Sequence, residues 1–155
     1  TPAFSSNVSD NLLSPSEINA VDTFIKTHEE HRSTEFASLN LSEERDMRRY
    51  TIGKFGNNNN QKVIVQYTLV EGNTWRKYMV IFSKPPMKYL AHTRIGGKGQ
   101  RDAEVDHIEN DGIILRVNYY SPNDALCCPS IKGVSFYELT RSGFEETWIK
   151  INSSK

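Results

Sequence analysis

The chain has 155 residues, of which 37% are hydrophobic and 25% are charged, and its 19 basic side chains balance its 19 acidic ones. This length fits one domain that can bury a core without cross-links. Because the net charge is zero, the basic excess that nucleic-acid binding requires is missing, and we expect no nucleic-acid partner. No apolar run approaches the roughly 18 residues of a spanning helix, so we expect no transmembrane segment.

The first predicted element is an amphipathic helix that follows a flexible lead-in of residues 1–13. Ser14 fits the N-cap, Pro15 fits the first helical position, and Glu17 completes a capping box. Apolar residues then recur at helical spacing, which predicts about four turns that dock on a sheet. The residues expected to dock are Ile18, Val21, Phe24 and Ile25.

From Met47 onward the apolar pattern indicates strands, and several runs flank short turns of the kind that close hairpins. These turns are 71–73, 110–112 and 140–143. Consecutive hairpins predict an antiparallel meander that is either curled or folded into two layers. The expected fold class is therefore α+β, with a mostly antiparallel sheet and one N-terminal helix packed on it. We expect residues 14–155 to form this single domain.

The run 74–83 has apolar residues at both odd and even positions, which place apolar side chains on both faces of a strand. This pattern predicts a central strand that is covered on both faces. Its side chains and those of the neighbouring runs should supply much of the core. The expected core residues are Trp75, Tyr78, Val80, Phe82, Val65, Tyr67, Ile113, Leu115 and Val117.

The only two cysteines, Cys127 and Cys128, are adjacent and stand directly before Pro129. Adjacent Cα atoms lie about 3.8 Å apart, which is closer than the roughly 4.4–6.8 Å of relaxed disulfides. From the residues alone, the pair is a strained vicinal disulfide, two thiols, or a pair that binds something else. The Cys-x-x-Cys spacing of redox sites is absent, and two cysteines are too few for a zinc site. We favour a structural role, with ligand contact by the loop as an alternative.

Three other motifs have simple structural interpretations. The histidines of His28-Glu-Glu-His31 are three apart instead of the four that zincin helices need, so we interpret the motif as a helix end. The glycine-rich segment 96–101 fits no phosphate-binding fingerprint and is interpreted as a turn. The alternating acidic residues between 102 and 111 lack the glycine of a calcium loop and are interpreted as a solvated strand face. We expect no metal and no cofactor.

Two segments resemble known families. Tyr119–Ser130, which ends in Cys-Cys-Pro-Ser, is similar to the motif of small bacterial envelope proteins such as the LppP/LprE lipoproteins. Gly53–Val65 resembles an FG-GAP-type calcium loop in which Lys54, Asn58 and Lys62 replace the aspartates. Because hard cations need carboxylate oxygens, we expect no calcium dependence.

The envelope resemblance implies export to the periplasm or the cell surface, with peripheral envelope association and a non-catalytic role. It also implies an oxidising compartment, in which disulfides persist. On this basis Cys127 and Cys128 are expected to be bonded to each other as a vicinal disulfide.

The sequence therefore predicts a non-catalytic exported domain that binds a protein or a small ligand through two loops, 96–101 and 121–130. The candidate contact residues are Asn123, Asp124, Pro129, Ser130, Lys98 and Arg101. One alternative is an enzyme that uses a thiol of Cys127 or Cys128, or carboxylates that come together in space. Another is an envelope enzyme inhibitor or immunity protein that inserts loop 121–130 into a cleft.

Overall fold

The computed structural model describes residues 6–8, 13–35, 42–54 and 60–151. The centre of the calcium-loop resemblance, 55–59, and most of the lead-in 1–13 lie outside these ranges. The helix α1 is Pro15–Glu35, and Arg45–Met47 forms a 3-10 turn. The strands are β1 (Ser6–Val8), β2 (Ser42–Glu43), β3 (Arg49–Lys54), β4 (Gln61–Glu71), β5 (Thr74–Lys84), β6 (Lys88–Gly97), β7 (Arg101–Glu109), β8 (Gly112–Tyr119), β9 (Ile131–Thr140) and β10 (Gly143–Ile151).

All ten described strands belong to one antiparallel sheet. Its order is β1-β3-β4-β5-β6-β7-β8-β9-β10, and β2 pairs with β4. The three predicted hairpins are confirmed as β4–β5, β7–β8 and β9–β10. From β3 to β10 each strand pairs with the next one in the chain, so the meander expected from the alternating apolar pattern is present.

The expected α+β class is wrong, because the described part of the chain is largely all-β. Its one α-helix covers a single face of the sheet near β3, β4 and β5. The other face is buried against a distant part of the same sheet, which curls over and remains open. A sheet that covers itself needs no helical layer on that side, and α1 is therefore an accessory to a β fold.

The backbone pairing between β6 and β7 is very short. Only Gly97 and Arg101 pair across this junction. Glycine is required at Gly96, because a Cβ there would lie 2.7 Å from the backbone oxygen of Arg101. The turn carries β7 over β4, where Oε1 of Gln66 accepts a hydrogen bond from the backbone N–H of Val105 at 2.8 Å. The Gln66 side chain thus satisfies a backbone donor that no neighbouring strand reaches.

Two apolar cores result from this arrangement. The inner core lies inside the curl and joins β4 and β5 to β7 and β8, whereas the outer core lies between α1 and β3–β5. Strand β5 sends Met79 and Ile81 to the inner core and Val80 and Phe82 to the outer core, which confirms the prediction of a two-faced central strand. Every predicted core residue of the sheet is buried except Trp75, which is only half-buried.

The start of α1 and its docking follow the sequence signals. The backbone N–H of Glu17 donates to Oγ of Ser14 at 3.2 Å, and Oε1 of Glu17 accepts from the N–H of Ser14 at 2.9 Å, so the predicted capping box is present. Val21 and Ile25 are buried in the outer core, and Ile18 and Phe24 pack against its margin.

Candidate functional site

The inner face of the β4–β5 hairpin changes from apolar to polar towards its turn. Alternate residues of a strand share a face, so Ile64, Gln66 and Thr68 of β4 point to the same side. On β5, Met79 pairs with Gln66, and Lys77 pairs with Thr68. The polar members of this row are at most 5% exposed. Buried polar side chains therefore occupy positions at which a continued core would have apolar ones.

A cleft of about 330 Å³ opens where this face becomes polar. It lies beside the β4–β5 turn, and residues from β7, the 3-10 turn and the cysteine loop 121–130 complete its walls. The lining residues are Met47, Thr68, Val70, Gly72, Asn73, Thr74, Trp75, Lys77, Asp102 and Cys127. Sites for small molecules in proteins occupy roughly 300–1,000 Å³, so this cleft has the size of a small-ligand site.

Lys77 and Asp102 form the charged pair of the cleft. Nζ of Lys77 lies 2.6 Å from Oδ1 of Asp102, and the two side chains are 6% and 35% exposed. Oδ1 also accepts the backbone N–H of Ala103 at 2.9 Å. Nζ of Lys77 lies 5.8 Å from the centroid of the Trp75 ring, within the range of a cation–π contact. The pair therefore has no net charge and stands against an aromatic wall.

Thr68 contributes a hydroxyl that the rest of the described chain does not satisfy. The residue is 1% exposed, and within the described ranges its Oγ1 atom has no hydrogen-bond partner. Leaving a buried hydroxyl without a partner costs about 1–3 kcal/mol. Thr68 belongs to the cleft lining and pairs across the hairpin with Lys77, so the two polar residues are neighbours at this end of the hairpin.

The cysteine loop borders the cleft through Cys127, whose sulfur is bonded to that of Cys128. Asp124 organises this loop, because its Oδ2 accepts the backbone N–H groups of Ser121 at 2.7 Å and of Ser130 at 2.8 Å. The Ser130 hydroxyl donates to the same carboxylate. The hydrogen bond from Ser121 is the main cause that lowers the pKa of Asp124; desolvation opposes it, and the two weaker bonds from Ser130 lower the pKa further. Asp124 and Ser130 thus position the loop.

Of the two predicted loops, only the cysteine loop contributes a residue to the cleft lining. The backbone N–H of Lys98 donates to the backbone carbonyl of Trp75 at 3.1 Å, so the glycine-rich turn adjoins β5 without lining the cleft. The cysteine loop reaches the same cleft through Cys127. Asn123 is exposed and Pro129 is half-buried, and neither belongs to the cleft lining.

Arg101 has a structural role inside the curled sheet. Its Nε atom donates to the carbonyl of Ile95 at 2.8 Å, and Nη1 donates to Oη of Tyr119 at 2.9 Å and to Oε2 of Glu146 at 2.8 Å. Nη2 donates to Oη of Tyr137 at 2.9 Å. Burial lowers the pKa of Arg101, but the bonds to Glu146 and Tyr119 outweigh it and raise the pKa above its ordinary value. Arg101 thus ties the β6–β7 corner to three later strands.

Sequence reasoning missed Thr68, Lys77 and Asp102 as site residues. The sequence pattern predicts a solvated strand face for Asp102, yet its carboxylate lies against the nearly buried Lys77 ammonium. The sequence did contain an indication of their position. Thr68 shares a face of β4 with Ile64, and Lys77 shares a face of β5 with Met79, so both polar residues lie on the face that is apolar elsewhere in the hairpin.

Comparison of the chain with protein-family models, with curated proteins and with solved structures finds no match. Among the described residues, no group of three or more His, Cys, Asp or Glu side chains is placed to hold a metal ion. No helix in the same ranges combines the length and the apolar character that crossing a membrane requires. The fold and the cleft define a largely all-β domain with a cleft of small-ligand size.

Proposed function

We propose that this protein is a non-catalytic binding domain and that its ligand site is the cleft beside the β4–β5 turn. The observation that supports the proposal is the unsatisfied hydroxyl of Thr68 next to the Lys77–Asp102 pair in a cleft of about 330 Å³. Buried polar groups reduce stability unless they are satisfied, so their presence at core-facing positions is typical of a functional site.

A small ligand fits this site better than a broad protein surface does. The cleft is bounded by short elements from four parts of the chain, and its volume suits a compact molecule. A protein partner would enter it with a single side chain. We therefore place a small molecule first among the ligands.

The loop tip supports a second candidate, an inhibitor or immunity protein. Leu126 is 56% exposed, and Oη of Tyr120 donates to its carbonyl at 2.6 Å, which braces the tip. A braced loop with an exposed apolar residue is suited to insertion into the cleft of another protein. Under this candidate, Leu126→Asp abolishes binding to the partner that the unmodified chain captures, and Asp102→Asn leaves it unchanged.

Export to a bacterial envelope also remains a proposal. It rests on the resemblance of Tyr119–Ser130 to the Cys-Cys-Pro-Ser proteins and agrees with the disulfide between Cys127 and Cys128, since disulfides persist in oxidising compartments. With both sulfurs bonded, the thiolate that a cysteine enzyme needs is absent from this pair. Alkylation and mass spectrometry of protein from fractionated cells test both statements, and two alkylated thiols in a cytoplasmic fraction would contradict them.

The cleft contains a natural optical probe. The chain has two tryptophans, Trp75 in the cleft and Trp148 on β10, where it stacks on Phe136 with ring centroids 5.5 Å apart. The variant Trp148→Phe leaves Trp75 as the only emitting tryptophan. We expect that a screen of this variant against a metabolite collection finds compounds that change Trp75 emission and raise the melting temperature by mass action.

Matched variants decide whether such a compound occupies the cleft. Asp102→Asn should weaken binding at least tenfold, whereas Glu104→Gln should not. Glu104 is on the same strand, its side chain is 54% exposed, and it is not part of the cleft lining. If no compound changes Trp75 emission, or if Asp102→Asn binds every compound as well as Glu104→Gln does, the cleft is not the ligand site.

A further inference from the structure

We infer that the cleft takes a neutral, polyhydroxylated ligand of the carbohydrate class. The inference rests on the proposed function and names its ligand. The Lys77–Asp102 pair and the Thr68 hydroxyl bind the hydroxyl groups, and Trp75 packs against the apolar face of the sugar ring.

The charges of the cleft favour a neutral ligand. Lys77 and Asp102 neutralise each other at 2.6 Å. A carboxylate or an ammonium group placed beside them would leave one uncompensated charge at a site where Lys77 is 6% exposed. Beside the nearly buried Lys77 ammonium an additional charge is less favourable than a neutral group, so an uncharged ligand is preferred over a charged one of equal shape.

The hydrogen-bonding groups favour hydroxyls over other neutral groups. An ammonium group has three donors, and Asp102 is the one acceptor that the described chain is seen to provide for Lys77. Among the described residues, both bonds of the Asp102 carboxylate use Oδ1, so Oδ2 is available to a ligand as an acceptor. A hydroxyl both donates and accepts, and adjacent hydroxyls can therefore serve Lys77, Asp102 and Thr68 together. A carbonyl group would serve Lys77 but offer nothing to Asp102.

The remaining walls suit the apolar side of a sugar ring. Trp75 is half-buried and lines the cleft with Val70, Met47 and Cys127. An indole ring offers a flat face with a large apolar area, and sulfur atoms are polarisable and pack well against varied shapes. The C–H groups of a pyranose would meet these surfaces, while its hydroxyls face the polar row at Thr68 and Lys77.

The experiment uses the full chain with Trp148→Phe and follows Trp75 emission. The probes are glucose, galactose, mannose, N-acetylglucosamine and their disaccharides, with glucuronate and glucosamine as charged counterparts. We expect at least one neutral sugar to give a saturable change in emission, at least tenfold weaker binding of its charged counterparts, and the same loss for Asp102→Asn. Saturation-transfer NMR on the sugar protons provides a second readout that does not depend on fluorescence.

Thr68→Val keeps the test valid if Asp102→Asn does not fold, because this variant removes one hydroxyl from a site where it lacks a partner in the described chain. It should also weaken sugar binding, and Glu104→Gln should not. If no neutral sugar shows saturation transfer, but another compound binds in a way that requires Asp102, the carbohydrate inference fails and the proposed binding function stands. If no compound depends on Asp102 or Thr68, both fail.

Discussion

Nζ of Lys77 on β5 lies 2.6 Å from Oδ1 of Asp102 on β7, although these two strands are not neighbours in the sheet. The contact exists because the sheet turns at Gly96 and carries β7 over the β4–β5 hairpin. The two side chains differ in exposure, at 6% for Lys77 and 35% for Asp102. Replacing Asp102 and replacing Lys77 should therefore change the free energy of unfolding by different amounts.

We predict that Asp102→Asn destabilises the protein by about 3 kcal/mol, because it leaves a nearly buried ammonium without its counter-charge. Lys77→Met should cost less than about 1 kcal/mol, because the Asp102 carboxylate that remains can be hydrated. Urea titrations of both variants measure the difference. Equal losses would show that Asp102 is as desolvated as Lys77 and would contradict the exposures given above.

We predict opposite effects for two buried hydroxyls. Thr68→Val should raise the free energy of unfolding by about 1 kcal/mol, since it removes a hydroxyl that has no partner among the described residues. Ser135→Ala should lower it by about 1–2 kcal/mol, since the Ser135 hydroxyl donates to the Glu146 carboxylate. Denaturant unfolding of the ligand-free protein measures both. Destabilisation by Thr68→Val would mean that its hydroxyl is already satisfied without a ligand.

We predict that Phe82→Ala costs on the order of 3–5 kcal/mol, because the ring is 3% exposed in the outer core. Trp148→Ala should cost clearly less, because that side chain is 46% exposed. Chemical denaturation of the two variants provides the comparison. A loss below about 1 kcal/mol for Phe82→Ala would show that this ring does not support the contact between α1 and the sheet.

We predict a small stabilising contribution of His107 that disappears at high pH. The hydrogen bond to Glu109 raises the pKa of His107 above 6.5, with a further bond to Asp106, while desolvation opposes both. Because the pKa is higher in the folded protein, the protonated imidazole stabilises the fold. This stabilisation is complete below the pKa of 6.5 in the unfolded chain, and it is lost as the pH rises through the pKa of the folded protein. The difference in melting temperature between the natural chain and His107→Gln should therefore be largest near pH 5 and vanish by pH 9. Proton NMR of the imidazole should give a midpoint above 6.5, and a midpoint below it would contradict the prediction.

We predict that the double variant Cys127→Ser, Cys128→Ser still folds and loses at most about 1–2 kcal/mol, because a ring closed by adjacent residues removes little entropy from the unfolded chain. The Asp124 bonds to Ser121 and Ser130 would keep the loop in place. Circular dichroism and urea unfolding measure the loss, and amide exchange reports on residues 121–130. Failure to fold would show that the disulfide supports more than its own loop.

The sequence by itself determined the local elements of this protein. The helix start at Ser14, the three hairpin turns and the two-faced strand β5 could be predicted because each depends on residues that are close in the chain. The cysteine loop can also be identified from the sequence, since an adjacent pair of cysteines is apparent without knowledge of the fold. The sequence predicts Trp75 in the core because it is an apolar residue in the alternating pattern of β5. Its position next to the hairpin turn leaves it half-buried beside the cleft instead.

Only the tertiary structure decided the fold class and the composition of the cleft. The curl at Gly96 lets the sheet cover itself, which reduces α1 to an accessory and makes the domain largely all-β. The same curl brings Asp102 to Lys77 and places the Arg101 guanidinium within hydrogen-bond distance of Tyr119 and Glu146. These contacts join residues that are distant in sequence, and a local pattern of polar and apolar residues carries no information on which distant strand will face it.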